Sequence, residues 1–195
     1  MTERPQVIDN RDDNTLASVI NTYLSDLDEK LAGDPDLDIV TGYFNPRGYF
    51  SLTEGLEHVD QLRLLIGAEP EQKGKERWRQ PDEPRGDEYE SQQIEEALRN
   101  ITKNIERDRD LLGFSRNNDK KLQNLVTFLR SDQVEVRRHE DRFVHGKAYL
   151  FSDSQGVLAG SSNFTQAGLN SNLELNLGTY DPHVTTEIQN WFEEL

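Results

Sequence analysis

The sequence predicts an α/β fold, a mixed sandwich built on one largely parallel sheet with helices on both faces. Three observations predict it. Strand-length apolar runs alternate with stretches of helical period over residues 15–67. Further strand-like runs with short connections follow residue 133. A chain of 195 residues suits one domain, 1–195.

Leu16, Val19, Ile20, Tyr23, Leu24, Leu27 and Leu31 recur at i, i+3, i+4, i+7 spacing, which predicts an amphipathic helix over 15–31. Asp13 or Asn14 is its expected cap, and Gly33 with Pro35 ends it. Residues 37–44 read as a buried strand, closed by the turn Asn45, Pro46, Arg47, Gly48. A short helix over 48–57 then leads to a strand over 61–67, and this β-α-β order implies a parallel pair. Residues 69–90 are nearly free of aliphatics and rich in charge, Pro and Gly, which predicts a long charged loop. Trp78 within it either pins the loop or touches a ligand. Helices are expected over 91–112 and 118–130, and strands over 134–136, 144–151, 157–159 and 173–180. Asp181 and Pro182 open a final helix carrying Ile188, Trp191, Phe192 and Leu195.

Composition narrows the chemistry. No window approaches the ~18 consecutive apolar residues of a membrane span, and the first ten residues lack a signal-peptide apolar stretch, so a cytoplasmic protein is expected. The absence of cysteine excludes a disulfide scaffold, a thiol nucleophile and a thiolate zinc site. His58, His139, His145 and His183 are too dispersed for a multi-histidine metal centre, and no metal or cofactor is expected.

The formal charge is -15, with 15 arginines and only 7 lysines. Acid excess of this size strains a compact state by self-repulsion, which molar salt screens, and predicts a halophilic protein, with an ordinary acidic protein as the alternative. The charge is unevenly placed. Residues 115–150 carry 8 basic and 5 acidic side chains, whereas 151–195 hold six acids and no Lys or Arg. Only the middle stretch suits a polyanion; the same charges also suit a solvated helix face and an edge strand.

The chemistry concentrates in 145–174. His145 and Lys147 are expected on a strand, where i, i+2 spacing sends both side chains to one face and Gly146 to the other. Gly160, Ser161, Ser162 and Asn163 follow at a strand end, with a helix expected to begin near Asn163. Glu174 stands among Leu173, Leu175 and Leu177 on the next strand, where an acid needs a partner, and His145 is the expected one. A phosphodiester gives each group a task. A neutral imidazole attacks phosphorus, Lys147 supplies positive charge, and Asn163 and Ser161 supply hydrogen bonds. Glu174 would orient the ring.

His145, Gly146 and Lys147 with Gly160, Ser161, Ser162 and Asn163 resemble the HxK…GSxN signature of the phospholipase D superfamily. Phe164, Thr165, Gln166 and Ala167 resemble the FT-x-A that follows it in bacterial nuclease members, and Glu174 stands where that family carries its histidine-orienting acid. The resemblance implies a phospholipase D-like α-β-α sandwich and a phosphohistidine intermediate formed without metal. Two departures stand out. The family's motif aspartate falls at position 152, which is Ser152, with Asp153 one residue late. The chain also has one such motif, whereas the family's chemistry needs two histidines, so the resemblance implies a homodimer that supplies His145 twice.

Arg137, Arg138 and Arg142 either contact phosphates or line an edge strand, and Tyr43 with Phe44 either walls the site or packs in the core. The leading reading is a metal-independent nuclease acting on DNA. A catalytically silent module that docks DNA or dimerises its parent protein is the alternative; a lipid phosphodiesterase ranks third, since no membrane-binding amphipathic segment is evident. Similar domains stand at the N-terminus of superfamily 2 helicases and restriction-type proteins. The final helix lacks a Gly or Pro stop, so a C-terminal helicase motor in the same parent chain is expected.

Overall fold

The computed structural model describes residues 4–31, 34–67, 116–139, 144–152 and 155–195. The predicted loop 69–90 with Trp78, the predicted helix 91–112, Gly33, Arg142 and Asp153 lie outside the described residues.

The elements run β1 (Val7–Ile8), α1 (Leu16–Lys30), β2 (Leu37–Thr41), α2 (Pro46–Leu56) and β3 (Leu62–Gly67), then α3 (Arg116–Leu129), β4 (Val134–His139), β5 (Ala148–Phe151), β6 (Gly156–Gly160), a single π-helical turn (Ala167–Ser171), β7 (Asn176–Thr179) and α4 (Pro182–Glu193). Thr15, rather than Asp13 or Asn14, caps α1: its hydroxyl accepts the Ser18 N–H, while the Asn14 amide donates to the Val7 carbonyl. Helix α2 starts two residues earlier than expected, because Pro46 occupies its first turn and the Asn45 side chain accepts from Gly48 N. Asp181 caps α4 in the same way, accepting from His183 N and Val184 N.

The sheet order is β1-β7-β6-β5-β2-β3-β4. Only β2·β3 and β3·β4 are parallel; β1·β7, β7·β6, β6·β5 and β5·β2 are antiparallel. The sheet is therefore mixed but largely antiparallel, which corrects the expectation of a largely parallel one. For β5 and β6 the reason is connection length. A parallel neighbour needs a crossover of a dozen or more residues, and the few residues between β5 and β6 permit only a hairpin.

Helices flank both faces, as expected. Ile39, Leu64, Tyr149 and Leu158 form the larger core with Leu16, Ile20 and Leu24 of α1, Leu52 of α2 and Leu125 of α3. Val40, Leu65, Leu150 and Val157 form a smaller core on the opposite face with Phe192 and Ile188 of α4. One cross-strand row on this second face runs Val7, Leu177, Ala159, Ala148, Val40, Leu65, Arg137. Helix α4 covers its middle, while Val7 and Leu177 at the far end remain 57% and 54% exposed.

A partly buried ion pair centred on buried Asp38 fastens α4. Asp38 on β2 takes both Arg63 Nε and Nη2 at 2.6 Å, and Arg63 Nη2 reaches Glu193 at 2.7 Å. The guanidinium also lies over the Phe192 ring, 4.8 Å from its centroid, and Gln189 donates to Asp38 at 2.8 Å. Removing one member of a buried pair strands the other charge. Arg63→Met is expected to lower stability by about 3 kcal/mol, read as a shifted urea midpoint at unchanged m-value.

Candidate active site

The site lies where β2 ends and β5 begins. Residues 144–147 precede β5 rather than belonging to it, which corrects the strand expected over 144–151. Alternation nevertheless persists in part. Lys147 is buried and shares its parity with Tyr149 and Phe151 of the larger core, Gly146 faces α4, and His145 is exposed. Lys147 Nζ folds back to donate to the His145 carbonyl at 2.7 Å, which closes residues 145–147 into one short hook. Burial lowers the Lys147 pKa, with the Glu174 charge opposing it.

Asn163 is brought to the same place. Its Oδ1 accepts from Tyr43 N at 3.1 Å and lies 3.4 Å from the Thr41 hydroxyl, so the carboxamide is oriented with Nδ2 as its donor. Between Asn163 and Lys147 sits Gly42. A β-carbon there would stand 3.3 Å from Asn163 Oδ1 and 4.0 Å from Lys147 Nζ, so the missing side chain leaves room between the two side chains. Tyr43 is half-buried beside them. Phe44, a second candidate for the wall, pairs instead with Phe164 in edge-to-face contact at 5.1 Å and packs against the core.

The loop of Ser161 and Ser162 is held from β7. Asn176, buried, donates to the Ser162 hydroxyl at 2.8 Å and accepts from Ser162 N at 3.3 Å. The Tyr149 hydroxyl donates to the Ser162 carbonyl, and burial pushes that phenol's pKa well above its ordinary value. The Ser161 hydroxyl donates to Glu174 Oε2 and accepts from Leu175 N.

Glu174 departs from expectation in two respects. It precedes β7, and the leucines around it are exposed, Leu173 by 71% and Leu175 by 55%. Its carboxylate is engaged by Ser161 and by the Asn172 amide at 3.3 Å, so the acid braces the Ser161 loop and places negative charge near Lys147. The helix expected to start near Asn163 is a five-residue turn beginning at Ala167, too short and too late to aim a dipole at the site.

Ser152 lies at the opposite end of β5, about 17 Å from Lys147 at 3.3 Å per residue. There its hydroxyl accepts from Asp36 N at 3.0 Å and its own N–H donates to the Asp36 carbonyl, so position 152 serves the turn and not the site. Arg137 pairs with Glu135 at 2.7 Å on the edge strand β4, and Arg138 stands opposite Ile66. Three strand spacings, about 14 Å, separate the backbones of β4 and β5; Arg137 lies in the row of Leu65 on the α4 face, whereas Arg138 lies in the row of Ile66 and Thr41 on the opposite face. Sequence reasoning missed Asn176, Thr41 and Gly42. The polar Asn176 at strand parity with Glu174 was a legible signal; nothing in one-dimensional pattern marked the other two. Among the described residues no three His, Asp or Glu side chains cluster as metal ligands.

The lowered Lys147 pKa has a sign. Between the folded value and the ordinary 10.5, the unfolded chain binds the extra proton, so this group makes stability rise with pH there. Any reaction needing the ammonium loses it at lower pH than an exposed lysine would. The alkaline limb of a rate profile is expected below pH 10.5, and Lys147→Arg is expected to move it upward.

Residues 91–195, more than half of the chain and including both HGK and GSSN, match the family model described as "Cardiolipin synthase, PLD-like domain". No curated protein matches the chain by sequence. Among solved structures, polyphosphate kinase from Porphyromonas gingivalis superposes with a TM-score of 0.53 at 14% identity, over 97% of this chain and 22% of the kinase. NucT from Helicobacter pylori gives 0.49 at 8% identity, covering 96% and 92% of the two chains. Nuc from Salmonella typhimurium, a phospholipase D family member, gives 0.47 at 16% identity, covering 97% and 91%. At such identities the kinase likeness speaks for fold alone. With the family model spanning both motifs, the chain belongs to the phospholipase D-like family.

Proposed function

We propose that the chain is a metal-independent phosphodiesterase of nuclease type that acts on DNA as a homodimer. The observation that carries this reading is the hook of Lys147 on the His145 carbonyl, with oriented Asn163 across the space that Gly42 leaves open.

A neutral His145 ring nitrogen attacks phosphorus and forms an N–P bond as the P–O bond to the leaving sugar breaks. The departing alkoxide takes its proton from a second imidazole, and water then cleaves the N–P bond, returning the ring to its neutral form. Lys147 Nζ and Asn163 Nδ2 meet the non-bridging oxygens, where preorganised donors stabilise charge as it develops. Glu174 acts through Ser161, holding the loop that presents Asn163.

The second imidazole comes from a second copy. The chain's other histidines are occupied: His58 pairs with Asp28 at 2.8 Å, His139 reaches the Leu195 carbonyl at 3.4 Å, and His183 pairs with Glu187 at 3.4 Å. The exposed leucines 173, 175 and 177 with Val7 support a protein partner on this side, because they begin at the Ser161 loop and carry no charge.

The test is cleavage of plasmid and single-stranded DNA in EDTA, at low and molar salt. Cleavage is expected to survive chelation. Loss of all cleavage in EDTA, or DNA retention with no cleavage under any condition, would replace this reading with a metal-dependent or a docking role.

A further inference from the structure

The hook that carries His145 is not secured by a ladder, since residues 144–147 precede β5. Val144 is buried in the smaller core, the Lys147 ammonium donates to the His145 carbonyl, and the Gly160 N–H donates to the Lys147 carbonyl at 3.1 Å. At Gly146 the segment meets one large group. Trp191 Cη2 would lie 3.0 Å from a β-carbon built on Gly146, with Cζ2 at 3.7 Å and Cζ3 at 3.9 Å. The benzo edge of the indole therefore occupies the space that a side chain at 146 would take.

Trp191 is held there firmly for a residue 39% exposed. Its neighbour Phe192 is 1% exposed beneath the Arg63 guanidinium, and Glu193 and Gln189 tie the same helix to Arg63 and Asp38. The latch on α4 thus fixes the depth at which the indole meets Gly146, and through it the height of the hook above the sheet.

We propose that Trp191 is a positioning residue for the His145 and Lys147 hook, with Gly146 as its receptor. The inference rests on the reading of His145 as nucleophile, and it concerns how that nucleophile is aligned. Removing the indole lets the hook sink toward α4 and withdraws the imidazole from its line of attack. A shift of about 1 Å in such a group costs on the order of 100-fold in rate. Adding a methyl at 146 against the intact indole pushes the hook the opposite way. The two changes compensate, because the methyl enters the space that the indole vacates.

The experiment is a double-mutant cycle on the full chain, with bis(p-nitrophenyl) phosphate as probe and the His145 ring proton followed by NMR, assigned by its loss in His145→Gln. Trp191→Ala and Gly146→Ala are each expected to lower kcat by about 10- to 100-fold with little change in KM, and to shift the His145 Hε1 signal. Trp191→Phe, which keeps an aromatic edge against Gly146, is expected to recover most of the rate and the signal. The double variant is expected to be faster than the product of the single effects. A merely structural tryptophan predicts lowered stability with an unmoved His145 signal and an additive cycle, and that result overturns the proposal. If Trp191→Ala fails to fold, an unmoved signal and rate in Gly146→Ala overturn it alone. If wild-type protein shows no His145-dependent hydrolysis, the function above fails, while the NMR cycle still decides whether Trp191 sets the hook.

Discussion

His145→Ala is expected to abolish phosphodiester hydrolysis, with a fall in kcat on the order of 10⁴- to 10⁶-fold, while DNA binding and the unfolding midpoint stay close to wild type. The size follows from the chemistry. Removing a covalent nucleophile removes the two-step route, and what survives is the electrostatic help of the remaining donors, here Lys147 and Asn163. Stability is spared because the His145 side chain is exposed and belongs to neither core cluster. The measurement is initial rate on a fluorescent oligonucleotide in EDTA, paired with an acid-quench assay. Phosphohistidine is labile to acid and survives alkali, so wild-type protein is expected to retain label after alkaline and not acidic work-up. Cleavage that persists unchanged in His145→Ala would refute the assignment.

Leu177→Glu is expected to convert a dimer into a monomer and to remove activity with it. Leu177 is 54% exposed and pairs across β1 with exposed Val7, so the isolated fold tolerates a carboxylate there. A two-fold contact would bury that carboxylate against its own copy. An unpaired charge in an interface costs about 3–5 kcal/mol, which is more than 100-fold in Kd. Sedimentation equilibrium reads the mass, and the specific activity of wild-type protein is expected to fall on dilution through the same Kd. A wild-type chain that is monomeric and active at every concentration would refute the two-copy site; a variant that stays dimeric would move the contact elsewhere.

Much of the fold was legible because its signals are local. The spacing of Leu16, Ile20, Tyr23, Leu24 and Leu27 marks α1, and Asp181 with Pro182 marks the start of α4. Sheet direction was not legible in the same way. The β-α-β order of β2, α2 and β3 predicted their parallel pairing correctly, but the β5–β6 hairpin and the antiparallel return of β7 beside β6 are not revealed by a helix-strand alternation.

At the candidate site, residue type and spacing point to His145, Lys147 and Asn163, whose chemistry depends on functional groups that the sequence states outright. Position depends on approach between segments far apart in the chain, and that belongs to the tertiary structure alone. Asn163 is oriented by the backbone of Tyr43, Ser162 is locked by Asn176, and Glu174 is turned to Ser161. Ser152 shows the same division: by sequence it is a missing motif carboxylate, and in space it fastens a turn at the far end of β5. By itself the sequence determined which atoms are present to react, because side-chain chemistry is local. Packing decided which of them face one another and at what height, because cores and hydrogen-bond networks form only when distant segments meet.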